Sequence, residues 1–208
     1  MTNRRVLLRL AALAVGAGLA PLSGRAVAAP GATDAAAFVK ATGDRLVAIV
    51  GANAGEQQKR ADLARILDAS VDIDGIGRFC LGRFWQRANA TQQREYLQVF
   101  RAMLVTNVAQ KLGDYRGVTF NVGRTQPRDG GDLVATTIDR PNNEPSHVDW
   151  LIVPVDGGPK IEDMISEGVS LRITERNDYE SFLNNNGGNI DRLITGLRQK
   201  AAQLASAD

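Results

Sequence analysis

Ile161-Glu-Asp-Met-Ile-Ser-Glu-Gly-Val-Ser-Leu171 decides the architecture, because it reads as a strand from Lys160 to about Ile165 that runs into a polar turn at Glu167-Gly168. Upstream of it, back to Gly117, apolar residues recur with period two between Gly, Pro and Asp clusters, the signature of strands joined by tight turns. Val118, Phe120 and Val122 alternate, and so do Val134, Thr136 and Ile138. The segment His147 to Val155 begins by alternating and becomes apolar on both sides at Trp150-Leu-Ile-Val153, which predicts cover on both faces. Downstream, helices are expected around Asp178 to Leu183 and Ile190 to Leu204, separated by Asn186-Gly187-Gly188.

Before Gly117 the period is helical. A first helix starts near Asp34, places Phe38, Leu46, Ile49 and Val50 toward one side, and stops at Gly51 to Gly55. A second runs from about Glu56 to Ala69, with Leu63, Ile66 and Leu67 apolar. Asp72 or Asp74 caps a third, which carries Ile76, Phe79, Cys80 and Phe84. Thr91 is the expected cap of the longest helix, where Tyr96, Leu97, Phe100, Leu104, Val108 and Leu112 recur at three- and four-residue steps up to Gly113. Helices followed by an antiparallel meander make an α+β fold with a sheet of about four strands, a mainly N-terminal helical layer and C-terminal helices.

Residues 1–28 read as a signal peptide: Arg4 and Arg5, an apolar run from Leu10 to Leu22, then Ala26-Val27-Ala28 as an A-x-A cleavage site. The apolar run is too short to span a bilayer. Thr2-Asn3-Arg4-Arg5-Val6-Leu7-Leu8 also approximates a twin-arginine signal. That segment holds four Arg and no acid; taking four from the 25 Lys+Arg leaves 21 against 23 Asp+Glu, a net charge of about −2 for residues 29–208. The basic character of the whole chain therefore belongs to its leader, and a nucleic-acid surface is not indicated. Residues 29–208 form one domain, long enough to bury roughly 70% of the surface exposed by the unfolded chain. The single cysteine, Cys80, excludes an internal disulfide in a compartment that would permit one, and its apolar setting, Phe79-Cys80-Leu81, assigns it to packing.

Catalytic machinery is hard to assemble from these residues. His147 is the only histidine and shares a strand face with Asp149, yet no G-x-S-x-G elbow supplies a nucleophile, and Ser166 and Ser170 lie in unrelated contexts. One His and one Cys cannot close a zinc site, and Asp72-x-Asp74 lacks the other ligands of a calcium loop. Asp163 and Glu167 are the carboxylates a hydrolase would use, although capping a turn or pairing with arginine accounts for them more simply. Gly123, Gly130-Gly131 and Gly157-Gly158 fall in hairpin turns and open no helix, so they cradle no phosphate. Arg78, Arg83, Arg87 and Arg94 read as a solvated helix face from which some arginines are available to an acidic partner or head group.

Taken in order, Asp72-Ile-Asp74, Leu81-Gly-Arg-Phe-Trp85, Gln92-Gln-Arg94, Phe100, Leu104, Leu112-Gly-Asp-Tyr115 and Asp163-Met-Ile-Ser-Glu-Gly-Val-Ser-Leu171 resemble the periplasmic carriers of the Mla phospholipid transport system, the toluene-tolerance auxiliary family of ABC transporters. The resemblance runs from about Asp34 to Leu204. It implies a twisted antiparallel sheet and a helical layer enclosing an apolar pocket for acyl chains, with no catalysis, cofactor or metal. It implies a soluble periplasmic protein that shuttles phospholipid between an inner-membrane ABC transporter bearing MCE domains and an outer-membrane lipoprotein complex. The candidate pocket residues are Phe120, Val134, Ile138, Trp150, Ile152 and Met164 from strands, with Phe79, Leu97, Phe100 and Leu104 from helices. Two departures stand out: Asn107 stands where many members carry Tyr, and the tail Asn184-Asn-Asn-Gly-Gly188 resembles a sub-branch sometimes associated with hopanoid genes, which makes a hopanoid the alternative ligand. A periplasmic lipid-modifying hydrolase built on Asp163, Glu167 or His147 is the alternative of a different class.

Overall fold

The computed structural model describes residues 32–111, 116–141, 143–156 and 158–205. The predicted signal peptide, Leu112-Gly-Asp-Tyr115 with the expected helix end at Gly113, and Gly157 lie outside the described residues. The elements are α1 (Ala32–Gly51), α2 (Glu56–Ser70), α3 (Ile73–Leu81), a 3₁₀ segment (Gly82–Arg87), α4 (Ala90–Lys111), β1 (Thr119–Arg128), β2 (Gly131–Asp139), β3 (Ser146–Val155), β4 (Gly158–Ser166), β5 (Val169–Ser170), α5 (Leu171–Asn185) and α6 (Ile190–Ala205). The α+β expectation holds.

The sheet is an antiparallel meander in the order β1-β2-β3-β4-β5. The fifth strand, which period two could not reveal, is two residues long and is folded back by a two-residue turn. Glu167 (φ 49°) and Gly168 (φ 81°) both take left-handed backbone there, as a hairpin with primed-turn geometry requires. Bulges interrupt the register between Val122 and Thr125 on β1 and opposite Leu151/Ile152 on β4, where Asp163 pairs with Leu151 and Ile161 with Ile152. Such bulges increase local twist. Between them, Phe120 and Val122, then Ile138, Thr136 and Val134, then Val148 and Trp150, then Met164 stand in register across one face. The expected cover on both faces of β3 is realised unequally: Val148 and Ile152 are buried, whereas Leu151 and Val153, on the opposite face, are half-buried.

Side-chain chemistry sets several helix ends. Asp72 caps α3, its Oδ1 accepting the Gly75 N–H at 3.0 Å. The expected Thr91 cap is corrected to Asn89, whose Oδ1 accepts the N–H groups of Thr91 (3.0 Å) and Gln92 (2.9 Å) while Gln92 Oε1 accepts the Asn89 N–H at 3.1 Å. This reciprocal pairing satisfies donors at both ends of the first turn. Helix α5 begins at Leu171, seven residues before the expected Asp178, because Ser170 Oγ accepts the Ile173 N–H at 3.2 Å. It ends where Gly187 and Gly188 adopt positive φ and the Gly188 N–H reaches back to Leu183 O at 2.7 Å.

Two bodies of apolar packing result. The helical core centres on Leu63, Leu67, Leu81, Tyr96, Phe100, Leu183 and Leu193, with the Tyr96 hydroxyl donating to Gly77 O at 2.9 Å. The sheet core places Ala35 and Val39 of α1 on Val134, Ile152 and Ile161, with a smaller cluster of Val118, Ile138 and Val148 beside it. Helix α1 therefore belongs to both: its first half packs on the sheet, while Leu46, Ile49 and Val50 enter the helical core. Gly43 marks the change, since a Cβ there would stand 2.7 Å from the Phe120 ring.

Candidate functional site

A site for an apolar ligand requires apolar walls on two layers and a way for them to separate. The inner sheet face supplies the first wall. Phe120 and Trp150 contact each other with centroids 6.3 Å apart and border both sheet clusters, and Met164 packs beside them. One polar device lies within this face: the Trp150 indole N–H donates to Thr136 Oγ1 at 2.8 Å, and that buried hydroxyl donates to Val148 O at 2.8 Å. Each donor is satisfied inside the sheet, so the face presents hydrocarbon.

The ten predicted lining residues divide between the layers. Val134, Ile138 and Ile152 are buried in the sheet clusters, with Phe120, Trp150 and Met164 partly buried against them. Phe100 is buried in the helical core, and Phe79, Leu97 and Leu104 pack against that core. Leu97 and Phe100 lie over Gly77 of α3, where a Cβ would meet Leu97 at 2.8 Å. Phe79 is covered by the guanidinium groups of Arg172 and Arg176, 4.6 and 4.9 Å from its ring centroid. The strand residues thus share one face, while these helix residues pack within the helical layer.

Residues at the seam between the layers lie outside those ten. Phe38 and Ala36 of α1 lie directly on the sheet cluster, and Val71 contacts both cores. The signal was present in the sequence: one amphipathic helix whose apolar residues divide around Gly43 must serve two layers. Val71 also forms a parallel bridge with Ile161, and the Asp72 N–H donates to Ile161 O at 2.9 Å. Lys160 Nζ donates to the α2 carbonyls of Asp68 (3.0 Å) and Ala69 (2.7 Å). The layers are therefore stitched along β4 and α1.

The polar candidates have structural occupations. Asp163 is 5% exposed. Its Oδ2 accepts the Ser170 hydroxyl at 2.6 Å, its Oδ1 accepts the Arg172 N–H at 3.2 Å, and the Arg172 guanidinium, 3.5 Å away, bonds Glu162 at 2.8 Å. The carboxylate fastens the start of α5 to β4. Glu167 Oε1 accepts the His147 backbone N–H at 2.9 Å, tying the same turn to β3. The His147 side chain is exposed, and Asp163 and Glu167 serve different backbone segments instead of converging on one point. Burial pushes the Cys80 thiol up to about 12, which makes it a packing group at neutral pH. Among the described residues no cluster of three or more His, Cys, Asp or Glu could hold a metal ion. No described helix is long and apolar enough to cross a membrane.

Two surface hollows accompany this architecture. One of about 430 Å³ lies between α5 and α6, lined by Phe182, Asn189, Arg192, Thr195 and Gly196, and one of about 300 Å³ lies between α1 and α2 beside Arg45 and Arg65. Neither is lined by any of the ten predicted residues.

Comparison with known proteins agrees with this geometry. The family model described as MlaC protein matches residues 40–199. The toluene tolerance protein ttg2D of Pseudomonas putida is 22% identical over 147 residues, covering 70% of this chain and 68% of that protein. A solved structure of a phospholipid-binding protein from Ralstonia solanacearum, in complex with a phospholipid, superposes with a TM-score of 0.72 at 25% identity, over 83% of this chain and 99% of that one.

Proposed function

The chain belongs to the MlaC protein family, and from that premise we propose that it is a periplasmic lipid-transfer protein that carries phospholipid between an inner-membrane ABC transporter bearing MCE domains and an outer-membrane lipoprotein complex. In this reading residues 1–28 are an export signal and residues 29–208 are one carrier domain. The observation that carries it is the match to the Ralstonia solanacearum protein in complex with a phospholipid, which extends over nearly the whole of that chain.

The physical case for a carrier is strong. A phospholipid with two chains of about sixteen carbons exposes about 30 methylenes, and at ~0.8 kcal/mol each its escape from a bilayer into water costs on the order of 20 kcal/mol. A shuttle must cover nearly all of that surface and still release it, which favours apolar walls with few fixed polar contacts and layers that can part. The sheet face around Phe120, Val134, Ile138, Trp150, Ile152 and Met164 is one such wall. The facing side is α1, with Phe38 and Val71 at the seam, backed by the helical layer of Phe79, Leu97, Phe100 and Leu104. Acyl chains enter by separating α1 and the helical core from the sheet, with Gly43 against Phe120 as the contact that yields.

The protein does no chemistry on its ligand in this account. Asp163, Glu167 and the His147 backbone are committed to holding the β4–α5 corner. The test is transfer of a fluorescent phospholipid from donor to acceptor vesicles separated by a dialysis membrane that passes the protein but not the vesicles. Protein-dependent transfer without lipid hydrolysis is expected. Absence of transfer, or release of fatty acid that stops in Asp163→Asn while folding is retained, would overturn the reading.

A further inference from the structure

Among the described residues, two buried side-chain polar atoms have no hydrogen-bond partner, Nε of Arg140 and Nε of Arg172. A buried donor left unpaired is costly, so each calls for a reason. Arg172 has one: its Nε lies 3.5 Å from Asp163 Oδ2, and its guanidinium bonds Glu162 at 2.8 Å. Arg140 has no such company. Among the described residues its side chain makes one hydrogen bond, to Ser146 Oγ at 3.1 Å. Neither carboxylate nearby in sequence forms an ion pair with it: Asp139 accepts from Asn121 at 2.8 Å, and Glu144 lies exposed in the β2–β3 connection.

Strand alternation fixes where this guanidinium sits. Val134, Thr136 and Ile138 share the inner sheet face, and Arg140 follows two residues on. Ser146 stands directly opposite Ile138, so the hydroxyl that holds Arg140 belongs to the same face. Ser166 stands opposite Val148 and brings a second hydroxyl to this end. Arg140 and both serines are half-buried, while Pro141 and residues 143–145 beyond them are exposed. The floor beside them is the cluster of Val118, Ile138 and Val148, against which Phe120, Trp150 and Met164 pack. No described helix residue enters that cluster, whereas Ala35, Ala36, Phe38 and Val39 of α1 sit on Val134, Ile152 and Ile161 at the other end of the face. The apolar wall is thus roofed by α1 at one end and finishes at the other in a guanidinium and two hydroxyls.

Such a wall suits a ligand that is apolar along its length and anionic at one tip. We propose that Arg140, supported by Ser146, is the subsite for the phosphate of the carried lipid, with the acyl chains lying along Ile138, Phe120 and Trp150. A phosphodiester offers the paired oxygens that a guanidinium takes with two parallel N–H bonds. Ser146 steadies one side of the group, and the Nε–H receives the oxygen that nothing in the protein supplies. The apolar floor beside the guanidinium selects a lipid phosphate over a free one. This inference rests on the carrier reading and adds to it the end of the wall that holds the head group, and a preference for phospholipid over a neutral lipid with the same chains.

The mature protein is equilibrated with vesicles containing equal amounts of phosphatidylglycerol and diacylglycerol of identical acyl chains, then re-isolated, and its bound lipids are counted by mass spectrometry. Wild type, Arg140→Met and Arg140→Lys are compared, with circular dichroism on each. Wild type is expected to favour phosphatidylglycerol, Arg140→Met to lower that ratio about tenfold while still holding lipid, and Arg140→Lys to fall between them. A second measurement needs no variant to fold: the Arg140 Nε–H resonance of wild type should move further on loading with phosphatidylglycerol than with diacylglycerol, and stay in place when inorganic phosphate is added to lipid-free protein. An unchanged lipid ratio in folded Arg140→Met, or equal movement of the resonance with both lipids, would overturn the subsite. A resonance moved by inorganic phosphate, with no preference between the lipids, would assign the site to free phosphate and overturn it too. Equal uptake of both lipids by wild type removes the subsite and leaves the carrier; uptake of neither removes both.

Discussion

Replacing Asp163 with Asn tests whether that carboxylate is a fastening or a reagent. Asp163 is buried and receives the Ser170 hydroxyl at 2.6 Å, the Arg172 backbone N–H at 3.2 Å and the Arg172 guanidinium at 3.5 Å. Asn keeps one carbonyl acceptor for the Arg172 N–H. It turns an NH₂ toward Ser170, whose oxygen already accepts the Ile173 N–H as the helix cap. One charge-assisted hydrogen bond is lost, about 1.5–3 kcal/mol, together with the attraction to Arg172. Arg172 retains Glu162 at 2.8 Å, so its charge is not orphaned and the total stays below the roughly 3–5 kcal/mol of a broken buried pair. The expected loss is about 2–3 kcal/mol, seen in urea unfolding followed by circular dichroism, or a fall in Tm of roughly 5–10 °C for a chain of this size. Ser170→Ala should cost about 2 kcal/mol through the cap and the same bond, and the double variant should show a coupling of about 1 kcal/mol or more. Stability unchanged within about 0.5 kcal/mol and no coupling would refute the fastening role.

Other outcomes follow from single contacts. Asn89→Ala should destabilise by about 1 kcal/mol by freeing the Thr91 and Gln92 N–H groups at the start of α4, measured by urea titration. Trp150→Asp, checked for folding by circular dichroism, should abolish lipid copurification; wild-type occupancy in a folded variant would remove Trp150 from the wall. Arg101 holds the Asp68 carboxyl below its usual value through hydrogen bonds of 2.7 and 2.5 Å. The folded value is depressed, so this stabilisation is full above the unfolded carboxylate range near pH 4 and is lost as pH falls through the folded value. Because the pair is more than a third exposed, the effect should stay under about 1 kcal/mol, and Arg101→Gln should flatten that part of the acid limb of stability against pH. Cys80, with its thiol pushed up to about 12 by burial, should react with a thiol reagent at pH 8 only as fast as the chain opens; immediate stoichiometric labelling would contradict the packing.

The order of elements was legible because period and punctuation change together at Gly117: three- and four-residue spacing before it, alternation after it. Helix ends were less so. Thr91 and Asn89 are both good caps, and only the reciprocal bond to Gln92 chooses between them. The early start of α5 and the short β5 depend on Ser170 and the Glu167-Gly168 turn, where a two-residue strand leaves no period to read. For the site, strand alternation correctly placed Phe120, Ile138, Val134, Trp150 and Met164 on one face, since a pleat leaves little choice. Helix residues carry no comparable rule. An apolar stripe at helical spacing does not say whether it faces another helix or the sheet: Leu97 and Phe100 pack on Gly77, whereas Phe38 packs on the sheet cluster and Val71 on both cores.

The most direct measurement is the lipid content of the mature protein, purified from a periplasmic extract under native conditions, extracted with organic solvent and identified by mass spectrometry. The account predicts phospholipid in near-stoichiometric amount. No lipid in the purified protein, together with no uptake from phospholipid vesicles, would contradict it.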